Sequence, residues 1–295
     1  MRVALFLGCT VPVRATNYEQ AFRRVAAEFG AEVIDINDFS CCGFPAKAVD
    51  RMIPLVMAGR NLALAEREGV EAVVTLCNAC TETLTETNHV LRHDPEQREK
   101  VAGHLAKLGY RYDGSMTVRH AARFLYQEIG LDRIRTKVTQ PLAGWRIAAY
   151  PGCHYTKPAE IYEGFDRPER PISLNLLVEA TGAETLDLEE ACCGGGTLGA
   201  KEETALKMAR MTLDQMKDQG ADAITLICPF CDVMFEQNQK KIEKVFASEY
   251  GLPVLYYPQL LGLALGIPRE ELGFSINRIK MDRLWEKLGA QAVRG

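Results

Sequence analysis

The chain of 295 residues is 47% hydrophobic and 25% charged, an ordinary globular composition with length for about two domains. A formal net charge of −4, without a block of like charges, excludes the basic footprint of a nucleic-acid binder. The apolar run at residues 3–7 is short for a secretory signal, and residues 260–267 fall short of the about 20 residues that span a bilayer, so the chain is expected to be soluble and cytoplasmic.

Residues 2–7 read as a buried strand running into Gly8 and Cys9. Apolar residues then recur every three or four positions from Asn17 to Phe29, a helix that Gly30 stops. A strand at residues 32–36 leads to Cys41-Cys42-Gly43, a helix covers residues 51–68, and a β-branched strand at 71–76 runs into Cys77. Residues 94–108 predict a charged, solvated helix, and residues 117–129 a short strand followed by a helix. The segment 137–144, with Pro141 and Gly144, is the expected boundary between domains 1–140 and 141–295. Beyond it the order repeats, with strands at 146–150, 184–188, 223–227 and 253–256 and helices at 172–180, 201–217 and 258–265. Alternating strands and helices predict an α/β fold of two pseudo-symmetric Rossmann-like domains with parallel sheets. In both, the cysteine loops lie at the C-terminal ends of strands, where ligands of such sheets bind.

The ten cysteines form one pattern written twice. Cys9, Cys41-Cys42 and Cys77-x-x-Cys80 make the first copy, and Cys153, Cys192-Cys193 and Cys228-x-x-Cys231 the second, with none left over. A disulfide framework is disfavoured in a reduced compartment for a chain with room for a large core. Thiolates select zinc, copper(I) or iron–sulfur species. A structural zinc and an ordinary cubane cluster each take four protein ligands, and five per half exceeds both.

Other motifs are weaker. Gly194-x-Gly196-x-x-Gly199 matches a dinucleotide fingerprint, but cysteines abut it and Asp214 and Asp218 fall in a predicted helix. His89 and His93 lie four apart without a zincin glutamate, which favours a solvated helix face. His154 and Lys157, beside Cys153, are the candidate catalytic pair, able to offset an anionic cluster, supply a proton or bind an acidic substrate. His120 and Lys47 are lesser candidates for the same roles.

The repeated Cys-Cys-Gly motif, with its upstream cysteine and downstream CxxC, resembles the tandem cysteine-rich CCG domains of the heterodisulfide reductase HdrB family. Phe6-Leu7-Gly8-Cys9, Gly152-Cys153-His154 and Cys228-Pro229-Phe230-Cys231 carry the likeness, which runs over nearly the whole chain. The resemblance implies two noncubane [4Fe-4S] clusters. One would be held by Cys9, Cys41, Cys42, Cys77 and Cys80, the other by Cys153, Cys192, Cys193, Cys228 and Cys231. It further implies reduction, or in reverse formation, of a small-thiol disulfide bound between the clusters. The implied partners are a small ferredoxin-like iron–sulfur subunit and a flavoprotein subunit. A sulfur-oxidation subunit, a non-catalytic electron-transfer module of a lactate-, glycolate- or quinone-linked complex, and a zinc-stabilised scaffold remain the competing readings. The first copy departs from the second where Cys42-Gly43-Phe44-Pro45 replaces a triple glycine, so the two sites are expected to differ in access.

Overall fold

The computed structural model describes residues 1–189 and 191–292 and contains two four-stranded parallel sheets. The first is built from β1 (Arg2–Phe6), β2 (Glu32–Ile34), β3 (Ala72–Thr75) and β4 (Val118–His120), in the order β2-β1-β3-β4. The second repeats that order with β5 (Arg146–Tyr150), β6 (Glu184–Thr185), β7 (Ala223–Leu226) and β8 (Val254–Tyr256), as β6-β5-β7-β8. The order in which strands are added reverses between the first and third of each sheet, β1 beside β3 and β5 beside β7. Crevices at such switch points are where open α/β sheets hold ligands. Cys9 and Cys77 follow one pair of strands, and Cys153 and Cys228 follow the other.

The strands are short, buried apolar runs, as parallel sheets covered on both faces require. Side chains of β1 alternate: Val3 and Leu5 enter one core, and Ala4 and Phe6 another. The second core is local, closed by the helices Met52–Arg67, Asn78–His93 and Pro95–Lys107 through Leu62, Leu84, Val101 and Leu105. Its last helix is the charged one predicted at 94–108; it is largely exposed but anchored by Val101 and Leu105. The first core is not local. Phe22 and Phe124 join Ile147, Leu177, Leu213 and Leu260 in one continuous cluster, so the two sheets share an interior.

Helix Thr16–Glu28 shows how the pieces are joined. Tyr18, Ala21, Phe22, Val25 and Ala26 give it a buried stripe, and Gly30 follows its end at φ +72°. It packs on the second-half helix Tyr257–Ala264, with Tyr18 stacked on Tyr256 at 4.1 Å between ring centroids. We propose 1–140 and 141–295 as the repeat units, on the grounds that the first sheet ends at His120 and the second begins at Arg146. The hydrophobic core runs across that division.

Candidate functional site

All ten cysteines are free thiols, and the loops gather them along the seam between the sheets. The Cys-Cys-Gly turn has a steric cause. Gly43 and Gly194 adopt φ of +93° and +83°, and a Cβ there would lie 2.6 Å from Pro54 Cα or from Ala205 O. Only glycine can hold that bend so close to the following helix. The bend directs backbone N–H groups at sulfur: Gly43 to Cys41 and Phe44 to Cys42 at 3.5 Å, Gly194 to Cys192 at 3.5 Å, and Gly195 to Cys193 at 3.4 Å. The N–H groups of the Gly194 loop are therefore committed to sulfur, which weakens the dinucleotide reading of that stretch. Gly8 and Gly152 meet the CxxC sulfurs in the same manner. A Cβ on Gly8 would stand 2.8 Å from Cys80 Sγ, and one on Gly152 would stand 3.1 Å from Cys231 Sγ.

Exposure follows the repeat. Cys9, Cys153 and Cys192 are exposed and Cys41 is half-buried, whereas Cys42, Cys77, Cys80, Cys193, Cys228 and Cys231 are buried. Thiol interactions run from Cys9 to Cys41, Cys42, Cys80 and Cys77, cross to Cys228, and continue through Cys231 and Cys193 to Cys192. Cys153 feels the charges of Cys193 and Cys228. Buried sulfurs this close share protons unequally. Burial pushes Cys41 up to about 11, while the Cys80 thiol and the Phe44 N–H hold Cys42 at about 7. Cys193 is likewise held low by hydrogen bonds from Cys192 and Cys231. A buried set of thiols with lowered members is suited to a cationic partner. Among the described residues no group of three or more His, Cys, Asp or Glu is arranged around a single metal ion. Five soft donors per half, glycine-cleared space at sulfur and N–H groups aimed at sulfur fit a multinuclear sulfur-rich group better than one ion.

The non-cysteine candidates separate. His154 is half-buried, lies edge-on to Phe44 of the other half at 5.3 Å, and its buried Nδ1 has no hydrogen-bond partner among the described residues. Lys157 lines a cavity of about 670 Å³ that also exposes Cys153 and Cys192. Arg167 and Arg170 line it as well, but so do Glu179, Asp187 and Glu189, and Arg170 is paired to Asp187 at 2.5 Å. The cavity is thus charge-mixed rather than cationic. Lys47 is occupied by Glu82 at 2.5 Å and by Glu86.

His120 is a clamp between halves. Ala122 N–H donates to its Nδ1 at 3.1 Å, so the proton sits on Nε2, which donates to Ile227 O at 3.0 Å. Tyr18, which sequence reading did not single out, donates to the same carbonyl at 3.2 Å, directly before Cys228. Asn78 was also missed; its Nδ2 donates to Pro151 O at 2.7 Å, bridging the loops that carry Cys77 and Cys153. Burial lowers the His120 pKa to about 4 from its ordinary 6.5. Between those values the unfolded chain binds a proton that the folded one does not, so stability falls as pH drops through the window, by roughly 3 kcal/mol in all. Urea unfolding from pH 7 to pH 4 is expected to show this slope in the wild type and to lose it in His120→Gln; equal slopes would contradict the clamp.

The two sites also differ by a compensated exchange of bulk. The loop residue two after the Cys-Cys pair is Phe44 in the first copy and Gly195 in the second. The helix residue two after the first CxxC cysteine is Ala79 in the first and Phe230 in the second, and a Cβ on Gly195 would lie 2.9 Å from Phe230 O. Each phenylalanine reaches the other copy: Phe44 meets His154, and Phe230 packs against the hydrophobic cluster that contains Cys42, Cys77 and Cys80.

A model of the cysteine-rich CCG domain matches residues 3–85 and again residues 147–236. The B subunit of the ferredoxin/F(420)H(2)-dependent CoB-CoM heterodisulfide reductase of Methanosarcina acetivorans is 35% identical over 285 residues, spanning 95% of this chain and 94% of that one. The 8-methylmenaquinol:fumarate reductase membrane anchor subunit of Wolinella succinogenes is 32% identical over 284 residues, spanning 95% and 98%. A crystal structure of a hypothetical protein from Helicobacter pylori shares the fold at a TM-score of 0.75 and 16% identity; it is matched over 95% of this chain and 52% of its own, so this chain spans about half of it. With two copies of the domain and this full-length identity, the chain belongs to the heterodisulfide reductase HdrB family of tandem cysteine-rich CCG-domain proteins.

Proposed function

We propose that the chain is the cluster-bearing catalytic subunit of a heterodisulfide reductase-type complex, reducing a disulfide of small thiols or forming it in reverse. The observation that carries this reading is the line of thiols that joins two complete five-cysteine sets across the seam at Cys77 and Cys228. Cys9, Cys41, Cys42, Cys77 and Cys80 would hold one noncubane [4Fe-4S] cluster, and Cys153, Cys192, Cys193, Cys228 and Cys231 the other. Such clusters supply electrons one at a time, and a two-electron S–S cleavage needs two. The chain's own residues do the rest. The exposed edge of Cys153 and Cys192 opens on the 670 Å³ cavity, which has the size of small-molecule sites. His154, next to Cys153 in the chain, would give a proton to a departing thiolate, and Lys157, which lines the cavity, would orient a charged substrate group. Electrons would enter from a small iron–sulfur subunit docked to a flavoprotein, because the sequence has no ferredoxin-type cysteine run.

A second reading, electron relay without disulfide chemistry, is favoured by the Wolinella relative, whose name is that of a membrane anchor subunit. Among the described residues no helix is long and apolar enough to cross a membrane, so such a role here would rest on docking to another subunit. Stopped-flow oxidation of the dithionite-reduced protein separates the two. A mixed disulfide of small thiols is expected to oxidise it and produce a new EPR signal. A spectrum unmoved by any disulfide, together with oxidation by a quinone-linked partner, would favour relay.

A further inference from the structure

The pair His89 and His93, unexplained by the cysteine sites, lies at a second cavity. Their rings are 4.4 Å apart along the helix Asn78–His93, beside a space of about 120 Å³ that Arg92, Arg119 and Arg123 also line. Ile161 and Glu163, from the second half, close its far side, so the cavity bridges the seam on a face apart from the cysteines.

Its charges do not balance. Arg119 is paired with Glu128 at 3.1 Å, and Arg92 reaches the exposed Glu163 only at 3.7 Å while donating to Gly114 O. Arg123 is 8% exposed, and among the described residues no carboxylate lies within ion-pair distance of it; Glu163 acts on it only from farther away. Its Nε donates to the neutral Gln127 Oε1 at 2.7 Å, and its guanidinium covers the Phe165 ring at 4.4 Å. A ring face offsets part of a buried cation's cost, and a carboxylate or oxyanion offsets more. Burial and the neighbouring Arg119 lower the Arg123 pKa to about 10, the direction expected of a guanidinium short of a counter-charge. An independent feature points the same way. Thr85 lines this cavity, and its buried Oγ1 has no hydrogen-bond partner among the described residues. An unmade bond of this kind is costly unless a ligand or water supplies it.

We infer that this cavity is an anion site that takes one small tetrahedral oxyanion of the phosphate or sulfate class, held by Arg92, Arg119 and Arg123 with Thr85 Oγ1 as a neutral donor. At about 120 Å³ the space falls below the ~300 Å³ where ordinary small-molecule pockets begin, which suits a small ion. Guanidinium forks suit such an anion, since each can present two parallel N–H donors. All four groups come from the first half, and the anion would compete with Glu163 of the second half for Arg92.

Isothermal titration of the full chain with sodium phosphate and with sodium sulfate, against chloride at matched ionic strength, tests the assignment. Saturable binding at one site per chain is expected for either oxyanion and not for chloride. Arg123→Gln is expected to weaken it by at least about tenfold, as removal of a buried ionic partner does. Thr85→Val, close in shape and able to fold, is expected to weaken it several-fold. No preference for oxyanion over chloride overturns the proposal, and so does an affinity that Thr85→Val leaves unchanged. No cysteine takes part, so the result stands apart from the cluster assignment.

Discussion

Cys193→Ala protein purified without oxygen is expected to retain the metal of the first half and lose that of the second, carrying about half the iron of the wild type. Cys193 is buried, and its interactions are with Cys192 and Cys231 of its own copy, which confines the damage. Disulfide-dependent turnover should fall by two orders of magnitude or more, since a two-site reaction loses one site. Cys228→Ala is expected to behave differently. Its thiol interacts with Cys77 of the other copy, so iron should drop in both halves. Iron and sulfide analysis of the two variants checks this, and identical losses in both would contradict the geometry of the seam.

The second large effect is structural. Gly194→Ala places a side chain at φ +83° with its Cβ 2.6 Å from Ala205 O. Backbone strain of about 1–3 kcal/mol and overpacking of about 1–3 kcal/mol together remove a large part of the about 5–15 kcal/mol that holds a typical domain. Gly199→Ala, where no atom lies within 4 Å of the new Cβ and the backbone is unstrained, is expected to change stability by about 0.5 kcal/mol or less. Urea midpoints of the two variants measure the contrast, and equal midpoints would remove the steric reason for the Cys-Cys-Gly motif.

Much of this was legible in the chain itself. Short apolar runs leading to Cys9, Cys77, Cys153 and Cys228 mark parallel strands, because a strand buried on both faces has no polar alternation to confuse it. The repeat of Cys-Cys-Gly and CxxC revealed the duplication and the family. What the chain could not disclose is how the copies face each other. Tyr18 and His120 converge on Ile227 O from positions 209 and 107 residues away, and no local pattern encodes such a meeting. Lys47, a lesser candidate for a charge-offsetting role, is taken up by Glu82 and Glu86, which only the fold brings to it. The triple glycine suggested unequal access, and the fold shows what one of its glycines packs against. Gly195 makes room for Phe230, while Phe44, its counterpart in the first copy, lies edge-on to His154. The charge of the cavity beside Cys153 was also beyond reach, since Lys157 alone suggests an acidic substrate, whereas Glu179, Asp187 and Glu189 from later loops offset the basic side chains.

In the proposed function each five-cysteine set holds its own iron–sulfur group. Iron, acid-labile sulfide and zinc, measured together on anaerobically purified wild-type chain, address it most directly. About four iron and four sulfide per half are expected, with zinc negligible. About one zinc per half without sulfide would contradict it.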